Sequence, residues 1–152
     1  MSQTTTMTQL QRELHINRDI DQAMNQLLPQ MKAFMDDTQI WKSDMELNQL
    51  QNLLSTAQDT QSVEVVKNFI YYQMGRDNRG SSWRKSERNQ PSFGDRLIQA
   101  LDELRDTAVL ITEAYGGQTG DIDKAWMNLT RLYLGNLRRY FYYHKRTGSG
   151  GR

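Results

Sequence analysis

Two segments of this sequence combine arginine and lysine side chains with aromatic side chains. The first segment, 77–91, surrounds Trp83, and the second, 126–146, contains no Asp or Glu. Cationic groups bind phosphate and aromatic rings stack on bases, so this combination is typical of a nucleic-acid-binding surface. The candidate contacts are Arg79, Arg84, Lys85 and Arg88 in the first segment and Arg131, Arg138, Arg139 and Lys145 in the second.

The formal net charge of +1 conceals a strong segregation of charge along the chain. Residues 1–63 contain four basic and eight acidic residues, and residues 97–125 contain two basic and six acidic residues. Residues 67–96 contain seven basic and three acidic residues, whereas residues 126–152 contain six basic residues and no acidic ones. The alternative interpretation is a set of water-facing helix surfaces, because segregated charge alone does not prove binding.

Residue types that support catalysis are scarce. The chain has no Cys, which excludes disulfides, thiolate chemistry and Cys-based zinc sites, and fits a reducing, cytoplasmic compartment. Its two histidines, His15 and His144, lie far apart, and no His-Glu-x-x-His or Gly-x-Ser-x-Gly motif occurs. No apolar run approaches the roughly 20 residues that span a membrane. We therefore expect no enzyme activity, no metal, no cofactor and no membrane partner.

Helical spacing of apolar residues runs through most of the chain, and strand-like alternation is absent, which predicts an all-α fold. Residues 1–146 are expected to form one compact domain, a bundle of about five helices, followed by a flexible tail or cloning remnant over 147–152. The predicted helices cover about 8–35, 43–57, 62–74, 93–115 and 121–146.

Local signals predict where these helices begin, end or bend. Pro29 should kink the first helix or divide it in two, because proline lacks an amide donor. Ser43 and Glu46 have the spacing of a capping box, and Gly75 is a suitable left-handed residue to end the third helix. Ser92 and Asp121 are predicted N-caps of the last two helices.

The segment 77–91 and the last helix each allow two interpretations. Trp83 either stacks on a base, with the neighbouring basic side chains reaching phosphates, or is tucked against the bundle. In the last helix Arg131, Arg138 and Lys145 are seven residues apart, so they share one face. That face either follows a nucleic-acid backbone or is exposed to water.

Three segments of the sequence resemble one family. VVKNFIYYQMGR (65–76), LNQLQNLLSTAQ (47–58) and LTRLYLGNLRRYFYYHKR (129–146) are similar to helices of the Csm-type small subunits of type III CRISPR effector complexes. FGDRLIQALDEL (93–104) fits the helix between them, so that the resemblance covers about residues 43–146. Gln51 stands in the region where the family usually carries a basic residue.

The resemblance implies a small helical bundle without catalytic activity, one component of the ribonucleoprotein complexes of antiviral defence. Copies of such a subunit stack along the effector beside its other subunits and line a positive path for crRNA and target RNA. By position, the implied contacts are Lys67, Arg76, Arg138 and Arg139. Small subunits of type I complexes, which bind a displaced DNA strand, are a related alternative.

The second class of function that the sequence allows is a protein–protein adaptor. Its acidic segments would meet the basic segments of neighbouring copies head to tail, and heterologous contacts of this kind build filaments. Nucleic-acid binding separates the two hypotheses.

Overall fold

The computed structural model describes residues 7–148, and every regular element in that range is helical. The α-helices are α1 (Gln9–Thr38), α2 (Leu47–Asp59), α3 (Val63–Arg76), α4 (Phe93–Glu113) and α5 (Thr119–Tyr143). A 3₁₀ turn, Ile40–Lys42, lies between α1 and α2, and a π-helical turn, His144–Gly148, extends α5. The predicted all-α bundle of about five helices is confirmed. Most of the predicted tail, 149–152, falls outside the described residues.

Helix α1 runs without a break through Pro29, so the predicted division into two helices is wrong, while the alternative, a kink, stays a prediction. Proline removes one backbone hydrogen bond, but the buried face of α1 outweighs this loss. Met24, Met31 and Met35 on that face are buried in the core, and α1 packs against both α4 and α5. Tertiary packing therefore holds this helix together across a residue that would end an isolated one.

Two predicted helix boundaries are wrong, the start of α2 at Ser43 and the end of α3 at Gly75. The Ser43 hydroxyl donates to the Ile40 carbonyl at 2.6 Å and accepts from the Met45 amide at 3.0 Å. Helix α2 begins later, where the Gln49 side chain accepts a hydrogen bond of 2.7 Å from the Glu46 amide. Gly75 lies within α3, which continues to Arg76.

The boundaries of α4 follow the sequence closely. The Ser92 hydroxyl accepts the Asp95 amide at 3.2 Å, which confirms the predicted N-cap. At the other end Gly116 has a φ of +67°, the left-handed conformation that ends a helix. Asp121, by contrast, is not the N-cap of α5, because it lies in the first turn and its carboxylate accepts the Gln118 amide at 3.0 Å.

Helix α5 packs against α1, α2 and α4 and carries much of the core. The periodicity predicts that α5 faces inward with Ile122, Leu132 or Tyr133, and four further residues. Of these, Ile122 is partly buried, Tyr133 and not Leu132 is the buried alternative, and the other four are buried, namely Trp126, Leu129, Leu137 and Phe141. Helix α5 runs antiparallel to α2, since Arg131 contacts the end of α2 and Lys145 contacts the segment that precedes it. This orientation places Arg131 and Lys145 at opposite ends of α2.

Candidate nucleic-acid interface

The segment 77–91 is docked on the bundle through Trp83. The Trp83 side chain is only 1% exposed and its ring centroid lies 6.1 Å from that of Phe93. Its carbonyl accepts the Gly94 amide at 2.8 Å. The interpretation in which Trp83 stacks on a base is therefore wrong, because the ring is enclosed by the protein, and the alternative, in which it packs against the bundle, is confirmed.

Gly94 permits this docking. A Cβ atom at position 94 would lie 2.5 Å from the Met74 sulfur and 3.1 Å from the Trp83 carbonyl oxygen. Glycine at position 94 therefore lets α4 lie close to the Met74 side chain of α3 and to the Trp83 backbone, where any larger residue would push its neighbours apart.

Asp77 fixes the first half of the same segment. Its carboxylate accepts the backbone amides of Ser81, Ser82 and Arg84 at 3.2, 3.0 and 2.8 Å. Burial alone would raise the pKa of Asp77, but the three amide hydrogen bonds outweigh it and the pKa lies below its ordinary value. The ionised carboxylate thus organises the segment, which is held by charge-assisted hydrogen bonds on one side and by Trp83 on the other.

The basic side chains of this segment differ in what they contact. The Arg84 guanidinium donates through Nε to the Asp77 carbonyl at 2.8 Å, and Lys85 lies 3.5 Å from the Glu87 carboxylate. Arg79 and Arg88 are exposed and have no hydrogen bond or ion pair within residues 7–148. Two of the four predicted contacts in the segment are therefore engaged within the molecule.

Arg76, at the end of α3, extends the exposed basic surface toward Arg79. Its guanidinium carbon lies 5.5 Å from the centroid of the Tyr72 ring, a cation–π contact on the helix surface. It has no acidic partner in the described part of the chain. Arg76 and Arg79 both line a cleft of about 480 Å³ between α2, α3 and the segment 77–91.

Lys67 is an internal cross-link between α3 and α4. Its ammonium group lies 2.6 Å from the Asp102 carboxylate and 3.4 Å from that of Glu64, and its side chain is 14% exposed. The hydrogen bond to Asp102 raises the pKa of Lys67 above its ordinary value, against the opposing effect of burial. The geometry gives Lys67 a structural role in the isolated chain.

Arg131 closes the carboxyl end of α2. Its Nε donates to the Ala57 carbonyl at 2.9 Å and its Nη2 to the Thr60 carbonyl at 2.7 Å. Carbonyl groups at the end of a helix lack intrahelical partners, so this guanidinium satisfies two groups that would otherwise need water. Two of the guanidinium donors of Arg131 are therefore used within the protein.

Replacing Arg131 by Gln is expected to lower the free energy of unfolding by about 1–3 kcal/mol, since two carbonyls lose a charged donor. RNA affinity at saturating folded protein should stay within about twofold of wild type. Urea denaturation followed by circular dichroism measures the first quantity, and fluorescence anisotropy with labelled RNA measures the second. A variant with wild-type stability and weakened RNA binding would show that Arg131 contacts phosphate instead.

Lys145 joins the end of α5 to the segment before α2. Its ammonium group donates to the Trp41 and Met45 carbonyls, both at 3.1 Å, and lies 3.9 Å from the Glu46 carboxylate. Like Arg131, it serves the contact between α5 and α2, so the predicted face of Arg131, Arg138 and Lys145 lies largely against the protein.

Arg138 and Arg139 have contrasting environments on α5. Arg138 is half-buried, and its Nε has no hydrogen-bond partner in the region that the structure covers. Arg139 is exposed and makes no ion pair with any described residue. Of the basic residues predicted in this helix, Arg139 is the one fully presented to solvent.

The segment 43–46 connects the two basic regions. The Asp44 amide donates to the Ser81 carbonyl at 3.0 Å, and the carbonyl of the next residue, Met45, accepts from Lys145. The structure therefore brings the segment 77–91 and the end of α5 to the same connection. Residues 77–91 and the end of α5 are far apart in sequence, and this adjacency arises from the antiparallel packing of α2 and α5.

The chain matches no family model, curated protein or solved structure. Within residues 7–148 no helix is long and apolar enough to cross a membrane. The same range contains no group of three or more His, Asp or Glu side chains that could hold a metal ion.

Sequence reasoning missed the polar residues that complete the cleft beside Arg76 and Arg79. Gln49 and Asn52 come from α2 and Gln73 from α3. Amide side chains on helix surfaces are common, and no motif distinguishes these three. The approach of α2, α3 and the segment 77–91 is what gives them a shared environment.

Proposed function

We propose that this chain is a non-catalytic small subunit of a CRISPR-Cas ribonucleoprotein effector complex that binds the RNA backbone through exposed arginines. One observation carries the proposal: the basic residues divide into those engaged inside the fold and those presented to solvent without an acidic partner. Among the ten residues predicted to contact nucleic acid, the second set consists of Arg76, Arg79, Arg88 and Arg139, and outside that prediction Lys32, Lys42, Arg105 and Arg146 are also exposed without an acidic partner within residues 7–148. The resemblance of α3 and α5 to the Csm-type small subunits supports the same function.

The four unpaired arginines are better placed to bind phosphate than to stabilise the fold. A guanidinium presents several N–H donors in a planar fork that matches the oxygens of a phosphate. Ion pairs within a protein would reduce this attraction, and these four side chains have none among the described residues. Contacts of this kind fix a nucleic-acid strand without reading its sequence.

The proposed partners are crRNA and target RNA, the other effector subunits and further copies of this chain in the cytoplasm. A single copy with four phosphate contacts would bind weakly, and repeated copies along one strand would add avidity. In a type I complex the same surface would hold a displaced DNA strand.

Equilibrium binding to labelled single-stranded RNA, duplex RNA and DNA tests this proposal. We expect binding to single-stranded RNA at low salt, with affinity that falls as salt rises, because phosphate contacts release counterions. No detectable binding to any of the three at low salt would contradict it.

A protein–protein adaptor is the second candidate, and three exposed leucines support it. Leu10, Leu14 and Leu110 are between 62% and 71% exposed. Leu10 and Leu14 lie four residues apart on α1 and so share one helix face, and a contiguous apolar patch on a surface often marks a contact with another protein. An adaptor would self-associate in sedimentation measurements without RNA and would leave RNA unbound.

A further inference from the structure

The cleft between α2, α3 and the segment 77–91 contains side-chain amides with no partner in the protein. Asn52, Gln73 and Asn78 line it, and none of their side chains makes a hydrogen bond within the described residues. An amide group offers a carbonyl acceptor beside an NH₂ donor. The cleft therefore presents donors and acceptors together, whereas the arginines around it present only donors.

Helix geometry aims these groups across the cleft. Asn52 lies three residues after Gln49 on α2, and Arg76 lies three residues after Gln73 on α3, so each pair shares a helix face. Gln49 is held in place because its side chain accepts the Glu46 amide. The segment 77–91 closes the third side and is fixed by Asp77 and Trp83, so the cleft has rigid walls.

A buried donor in the wall of the cleft is also unsatisfied. Trp83 lines the cleft, is 1% exposed, and its indole Nε1–H has no hydrogen-bond partner in the part of the chain described here. By contrast, the indole of Trp126 donates to the Leu101 carbonyl at 2.8 Å. The Trp83 Nε1 atom is enclosed by protein, so a molecule in the cleft would lie beside the indole and change its surroundings without bonding to the N–H.

We infer that the cleft binds one unpaired nucleotide, with its phosphate on Arg76 and Arg79 and its base edge on the amides of Asn52 and Gln73. The inference rests on the proposed function and deepens it, because it adds a base-contacting site to a surface otherwise specific only for phosphate. At about 480 Å³ the cleft falls in the size range of small-ligand sites.

The polar lining selects a nucleotide over other occupants. A phosphate has only acceptor oxygens, so it cannot pair with the amide carbonyls, whereas a base edge carries donors and acceptors side by side. Asparagine and glutamine recognise adenine in this way, and unstacked RNA bases expose the same edges. A peptide anchor would need an apolar pocket, and Trp83 is the only apolar residue among the lining side chains.

The first test compares single-stranded RNA homopolymers of A, C and U of equal length at one salt concentration. The wild-type chain is expected to bind one of them at least about fivefold more tightly, the discrimination that a good amide–base contact provides. The double variant Asn52→Ala, Gln73→Ala should lose this preference and keep the salt dependence of binding, because no charge changes. Asn48→Ala, Gln58→Ala is the matched control, since both amides are exposed on α2 outside the cleft.

The second test follows two of the three indole N–H resonances of the ¹⁵N-labelled full chain by NMR, those of Trp83 and Trp126. Nucleoside monophosphate should shift the Trp83 signal and leave that of Trp126, which already has its partner, in place. Inorganic phosphate and ribose 5-phosphate should have little effect on either signal, which separates recognition of the base from recognition of the phosphate.

The outcomes of these tests separate this inference from the proposed function. If RNA binds with a steep salt dependence but all homopolymers bind equally, the inference is wrong and the proposed function stands. If no RNA binds at low salt, the proposed function is wrong. The titration with nucleoside monophosphate then tests by itself whether the cleft binds a nucleotide. A Trp83 shift in that case supports a nucleotide site, and an unchanged spectrum overturns it.

Discussion

Reversing Arg76 and Arg79 to Glu together is expected to weaken the binding of single-stranded RNA about a hundredfold at low salt. Each arginine is exposed and has no acidic partner within residues 7–148, so each can give a charge-assisted hydrogen bond to phosphate. Such bonds contribute about 1.5–3 kcal/mol each, and two lost at the lower figure give about two orders of magnitude in Kd. Fluorescence anisotropy with a labelled oligonucleotide measures the change.

The matched control is the double variant Arg105→Glu, Lys124→Glu, which makes the same charge change in the acidic stretch 97–125. Arg105 lies over the Trp126 ring and Lys124 pairs with Glu13, so both belong to a different surface. We expect this control to bind within about fivefold of wild type, because only long-range charge is altered and salt screens it. Equal losses in the two variants would mean that net charge, and not the surface around Arg76, governs binding.

Replacing Trp83 by Ala is expected to lower the free energy of unfolding by about 3–5 kcal/mol. The side chain is among the largest fully buried ones and anchors the segment 77–91 to α4 through Phe93 and the Gly94 amide. Its removal leaves a cavity and weakens the docking of the segment. Urea denaturation followed by circular dichroism measures the loss. If the wild-type chain is only marginally stable, the variant will be unfolded without urea and will show no cooperative transition.

Two further variants make the Trp83 result specific. Trp83→Phe keeps an aromatic ring in the core and should cost less than Trp83→Ala. Tyr72→Ala removes an aromatic side chain that is 59% exposed, and should change the free energy of unfolding by less than about 1 kcal/mol. If Trp83→Ala also changed it by less than 1 kcal/mol, the docked arrangement of residues 77–91 would be contradicted.

The sequence predicted the helices well because their signal is periodic and local. The spacing of Trp126, Leu129 and Phe141 is a property of one helix, and the same is true of the Ser92 cap. Pro29 shows where local rules stop, since its effect on α1 depended on contacts with α4 and α5. Ser43 shows the same limit at a helix end, because its hydroxyl found a partner in the preceding turn.

The sequence predicted which residue types form the candidate site, but not which of them form contacts inside the protein. Arg131 and Arg139 look alike in the sequence, yet Arg131 closes the end of α2 and Arg139 faces solvent. Which of the two is engaged depends on the distance between α5 and α2, which no local pattern encodes. The cleft depends on three separate segments, so its amides carried no signal at all until α2 and α3 were placed side by side.

The salt dependence of single-stranded RNA binding tests the central claim most directly. If Arg76, Arg79, Arg88 and Arg139 each contact one phosphate, the slope of log affinity against log salt should be close to −3, at roughly −0.7 per contact. Anisotropy titrations of the wild-type chain between low and physiological salt measure it. A slope near zero, or no binding at the lowest salt, would contradict an RNA-binding subunit and favour the adaptor.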